Sequence, residues 1–186
     1  MNGSQPATDL TTVLAGDHRE LDRLCTELEL GQGSPENRKD LADHLIAELV
    51  RHAVAEESFL DGDGALAEAD GLMRQLEGAG PQETRFERLL GGLIRAVRRH
   101  VHDEGPAAVR QVRLTCSPER RAELGKEVLA ARDAAATVPH PDLSDRVPQV
   151  DQLWPGPGFV DRARDALRRA ADSPGRAPGG RTPASG

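Results

Sequence analysis

Hydrophobic residues recur along the first 136 positions at steps of three and four. That is the period of one helix face, not the alternation of a strand. The first such run is "DLTTVLAGDHRELDRLCTELEL", residues 9–30, with Asp9 placed to cap it. "GQGSPEN" breaks the period, and Ser34 followed by Pro35 marks the start of a second helix. That helix reads "RKDLADHLIAELVRHAVAEESFL" and ends at the turn "DGDG", residues 61–64. "ALAEADGLMRQLEG" is a short third helix that stops near Gly78. "TRFERLLGGLIRAVRRHVHDE", residues 84–104, is the fourth, and Gly105–Pro106 should stop or kink it. "CSPERRAELGKEVLAARDAAA" restarts as a fifth, with Ser117 as cap and Pro118 at the first helical position.

Four helical runs joined by short breaks predict antiparallel neighbours. The expected fold is therefore all-α: an up-down four-helix bundle with a fifth helix and an extended C-terminal tail. Residues 1–8 read as a flexible start and 9–136 as the bundle. Residues 137–172 read as a Pro-rich tail with a short amphipathic helix, and 173–186 as disordered. Trp154 would anchor the tail to the bundle.

Composition narrows the function. Aromatic residues are only 2% of the 186, so Leu, Val and Ala must build the core, which suits packed helices. A net charge of -7 argues against nucleic acid, whose phosphates need a basic stripe. No signal peptide opens the chain, and no run approaches the ~18 apolar residues of a membrane span. Two cysteines, Cys25 and Cys116, make no disulfide framework and are read as reduced thiols of a cytoplasmic protein.

The candidate chemistry lies in the histidines. Four of the six have a carboxylate four residues on: His18–Asp22, His44–Glu48, His52–Glu56 and His100–Glu104. Helix surfaces are rich in charge, so spacing alone does not mark a site. Facing is more informative, because a helix turns about 100° per residue. The inward stripe of the first helix is Leu14, His18, Leu21, Cys25, Leu28. That of the second is Leu45, Leu49, His52, Glu56, Phe59. That of the fourth is Phe86, Leu90, Leu93, Val97, His100, Glu104. His18, His52, Glu56, His100 and Glu104 thus occupy core positions, whereas His44, Glu48, Asp22 and His102 fall on solvated faces, and His140 lies in the tail. Two buried carboxylates without a cation would cost several kcal/mol, and no Arg or Lys lies on these stripes. A metal ion, or proton sharing with the histidines, answers that cost. The ligand types admit iron, manganese or zinc. Neither the Glu-x-x-His of ferritin-like bundles nor the zincin H-E-x-x-H is present.

Over about residues 9–136 the chain resembles the hemerythrin HHE cation-binding family, through "DHRELDRL" at 17–24, "RHAVAEE" at 51–57 and "RHVHDE" at 99–104. The resemblance implies a four-helix bundle holding non-haem di-iron and binding O2, NO or peroxide. It implies metal ligation by His18, by His52 and Glu56, and by His100 and Glu104, with both Glu residues bridging. The departure is in the third helix, where Leu66 stands in place of the family's His. The expected function is a metal-binding protein with a degraded di-iron site: one ion on His18, His52 and the shared carboxylates, and a second weak or absent. It would bind or sense O2, NO or peroxide, or handle iron. The alternatives are a metal-free bundle acting as an interaction module, and a weak peroxide-consuming, catalase-like enzyme.

Overall fold

In the computed structural model the described residues are 9–59 and 67–136, together with 161 and 165. Leu66, Asp61, His140, Trp154 and most of the tail lie outside them. Among the described residues, six α-helices follow in order from 10 to 136: α1 (Leu10–Leu30), α2 (Pro35–Phe59), α3 (Ala67–Glu77), α4 (Thr84–Arg99), α5 (Gly105–Thr115) and α6 (Pro118–Ala136). A π-helical turn, His100–Glu104, joins α4 to α5. No strand occurs among the described residues.

The helix ends follow the local chemistry. Asp9 caps α1 by accepting the Thr12 N–H at 3.0 Å. Gly31 ends α1 with φ 66°, a left-handed conformation that a Cβ would disfavour. The Ser34 hydroxyl accepts the Asn37 N–H at 3.2 Å, and Ser117 does the same for Arg120 at 3.2 Å.

Side chains at those ends set the directions. Arg38, at the start of α2, donates to the Leu28 carbonyl at 2.8 Å, so α1 and α2 form an antiparallel hairpin. Its guanidinium also pairs with Glu87 at the start of α4, at 2.7 Å, so α2 and α4 begin at the same end. Arg99 at the far end of α4 reaches Glu68 at the start of α3, at 2.6 Å. The up-down order expected from the sequence follows from these contacts. Beyond it, α6 packs along α1 and touches α2.

The core has two parts. The larger runs along the bundle and includes Leu21, Cys25, Leu45, Leu49, Met73, Phe86, Leu90 and Leu93. The smaller gathers Leu10, Val13, Leu14, Ala55, Val112, Leu124 and Val128, where α5 and α6 close one end. His18 follows Leu14 of the smaller part and precedes Leu21 of the larger, so the polar residues sit between the two. No described helix is long and apolar enough to cross a membrane.

Candidate metal centre

Each inward stripe delivers its histidine to one place. The rings of His18, His52 and His100 form a triangle with centroid separations of 4.8, 5.4 and 5.1 Å. All three are buried, His52 completely. Glu56, one turn beyond His52, is buried beside them. Its Oε1 lies 3.4 Å from His52 Nε2 and its Oε2 lies 3.5 Å from His100 Nε2, so one carboxylate spans both rings. One donor atom from each of His18, His52, Glu56 and His100 can be chosen so that all four lie within 4.8 Å of one another.

Glu104 is placed differently from the expectation. It was expected to continue the stripe inward, yet its side chain is 42% exposed. The cause is the π-helical turn. Its i→i+5 bonds put five residues where an α-turn puts four, and the Gly105 N–H accordingly bonds the His100 carbonyl. Pro106, lacking an N–H, cannot supply the α-helical bond to the next turn. Gly105 therefore completes the turn below His100 and is buried. It lies against the His18 ring so closely that a Cβ there would come within 2.7 Å of Nε2 and 3.1 Å of Nδ1. Glu104 is left at the rim, with Oε2 3.4 Å from His100 Nδ1.

A residue that the sequence stripes passed over stands in the matching position behind His52. Asp17 Oδ2 lies 3.3 Å from His52 Nδ1. A signal for it existed, because Asp17 falls in a second stripe of α1 at steps of three and four, with buried Leu14, Leu21, Leu24 and Leu28. Of the residues read as solvated, His44, Asp22 and His102 are so placed, whereas Glu48 is largely covered, its side chain 18% exposed beside Arg51. His102, 58% exposed, meets Asp22 at 3.0 Å, and His44 lies half exposed, 3.6 Å from Glu48.

The electrostatics are those of a site built around positive charge. Burial, with repulsion from His52 and His100, pushes the His18 imidazole down to about 4. Burial also opposes charge on His52, but hydrogen bonds to Asp17 and Glu56 outweigh it and raise its pKa. Burial would raise Glu56, yet hydrogen bonds from His100 and His52 hold its carboxyl well below the usual range. His52 Nε2 and His100 Nε2 face each other at 2.9 Å, a separation at which two lone pairs repel unless a proton lies between them. His18 Nε2 is buried with no hydrogen-bond partner, and Glu56 Oε1 is buried with only a weak contact to His52 Nε2 at 3.4 Å. Orphaned buried donors and acceptors are costly. Here they converge, three imidazoles and one carboxylate, as the donor set of a divalent transition metal. These residues fit a metal ion.

No curated protein and no solved structure matches the chain. The family description "hemerythrin HHE cation binding domain" matches residues 9–105, just over half of the chain and the whole of the segment that carries the four convergent residues. With its helical bundle and its buried His/Glu cluster, this chain belongs to the hemerythrin HHE cation-binding domain family.

Proposed function

We propose that this protein binds one metal ion through His18, His52, Glu56 and His100. Iron is favoured by the family, while manganese and zinc are compatible with the donors. The observation that carries the reading is the buried group of His18, His52, Glu56 and His100, whose ligand atoms lie within 4.8 Å of one another and in which His18 Nε2 has no hydrogen-bond partner. Among the described residues this group supplies one ion's worth of donors, so the site is read as mononuclear rather than di-iron. A bound ion would supply a Lewis-acidic centre to an exogenous ligand. We read that ligand as O2, NO or peroxide, bound or sensed, with iron handling as a related role. The protein's part is to hold three neutral imidazoles and an ionised Glu56 away from water. The chain is read as cytoplasmic, with Cys25 and Cys116 as free thiols.

The test is metal analysis of purified protein after iron-supplemented expression. The expected content is about one ion per chain, lost in His52→Ala. Fewer than ~0.2 ions per chain, unchanged in His52→Ala, would overturn the proposal in favour of a metal-free interaction module.

A further inference from the structure

One ion pair ties α3 to the C-terminal part of the chain. Arg74 donates to the Asp161 carboxylate, 87 positions on, and to Asp70 of its own helix at 2.9 Å. Asp161 and Asp165 are both helical and both exposed. Four residues apart, they share one face of that helix. At about 100° per residue, Phe159, Val160, Ala163, Ala166 and Leu167 gather on the opposite face. Arg162, Arg164, Arg168 and Arg169 fall on the side of the aspartates. Such a division marks a helix that buries one side.

α3 offers a surface for it. Its Leu72 lies against α4, where a Cβ at Gly92 would come within 3.3 Å of the leucine. Arg74 projects about 160° from Leu72 round the axis, away from α4. On that other side lies α2, and Gln82, in the turn after α3, donates to Glu36 of α2 at 3.2 Å. Asp43 and Val50 share the side of α2 that carries Glu36. They lie about 160–180° from His52 round the helix, yet both are buried. A rim helix buries one stripe, so α2 is covered on a second side, facing α3.

We propose that residues 159–169 form a helix docked in the groove between α2 and α3, its apolar stripe inward and Asp161–Arg74 fixing its register. The charges are complementary. Four arginines against Asp161 and Asp165 make the segment basic, while Glu68, Asp70 and Glu77 against Arg74 make α3 acidic. The 22 residues between Ala136 and Phe159 can span up to ~70 Å, several helix diameters. An ion pair this exposed contributes little alone, so burial of Phe159 and Leu167 carries the docking. The docked helix steadies α3, which is short, contains Gly71, and holds Glu68 to Arg99 at 2.6 Å beside the π-helical turn. None of this depends on a bound metal.

Hydrogen–deuterium exchange of the full metal-free chain, read peptide by peptide, tests the proposal. Residues 159–169 are expected to exchange at least ~10-fold more slowly than an unstructured peptide of the same sequence. Phe159→Ser with Leu167→Ser should abolish that protection and speed exchange in α3, leaving α1 and α4 as in wild type. Asp161→Arg, opposite Arg74, should speed exchange of the segment roughly two- to five-fold, and adding Arg74→Asp should restore most of it. Exchange of the wild-type segment at the unstructured rate would overturn the docking, and serine variants that keep wild-type protection would refute the apolar stripe. A charge-swapped chain as fast as Asp161→Arg alone would refute the register. Protection that vanishes on dilution, with a dimer seen by light scattering, would give the groove to the segment of a second chain and overturn the intrachain contact.

Discussion

Replacing Gly105 by Ala tests the closeness of α5 to His18. In an unhindered helix interior, Gly→Ala stabilises by about 0.5–1 kcal/mol. Gly71 in α3 is such a place, since an added Cβ meets nothing within 4 Å. At Gly105 the same Cβ would lie 2.7 Å from His18 Nε2 and nearer still to Cε1, well inside van der Waals contact. Forcing a methyl into packed surroundings costs about 1–3 kcal/mol, so the propensity gain is cancelled or reversed. Gly71→Ala should raise the urea midpoint of the metal-free chain, and Gly105→Ala should lower it or leave it flat. The gap between the two should be about 1–3 kcal/mol. A cycle with His18→Ala assigns the cause. Once the ring is removed, Ala at 105 should recover its helical gain, giving a coupling of at least ~1 kcal/mol. In the intact protein the displaced ring also withdraws one donor, so zinc affinity should fall. Gly105→Ala that stabilises as much as Gly71→Ala, with no coupling to His18, would refute the packing described here.

Acid should destabilise the metal-free chain early. The folded pKa of His18 is depressed to about 4 from its ordinary 6.5, so below pH ~6.5 the unfolded chain takes a proton that the folded one refuses. Stability should fall between pH ~6.5 and ~4 by up to about 3 kcal/mol, and His18→Leu should flatten that part of a urea-midpoint profile. Glu56 acts in the same direction at lower pH: its contribution is present above its unfolded value near 4.5 and is lost as pH falls further. Cys25 is buried and its thiol is pushed up to about 12 by burial, whereas Cys116 is half-buried. A thiol reagent should therefore modify about one cysteine per native chain, and the second only at the rate of unfolding. Phe86 is fully buried in the main core, so Phe86→Ala should cost about 3–5 kcal/mol by thermal or urea unfolding. Leu114, 76% exposed on α5, should accept Gln within about 0.5 kcal/mol.

Much of the bundle could be read from periodicity, because each helix buries one face and the caps at Asp9, Ser34 and Ser117 are local chemistry. The same rule placed His18, His52, Glu56 and His100 inward, and all four are buried. It misplaced Glu104 because a template of three and four assumes an unbroken α-helix. The warning lay two residues on, in a proline that removes a donor where the spiral widens. Asp17 was overlooked for a different reason. Pairing each His with a carboxylate four residues later finds contacts along one helix, while Asp17 serves His52 across 35 positions of sequence. Asp22, which that search did find, is instead engaged by Arg98 and His102 at the surface.

The polar triangle between the two parts of the core has a consequence for how the chain comes apart. In the metal-free protein the seam joins the long bundle to the α5–α6 end through imidazoles and a carboxylate rather than through close-packed apolar side chains. Such a boundary separates units that can open at different free energies. A shared ion tying α1, α2 and the π-helical turn together would fuse those units into one cooperative block. Amide exchange in α5 and α6 should then slow far more on metal loading than exchange around Phe86 and Leu90, so that the ion governs the cooperativity of the fold as well as its chemistry.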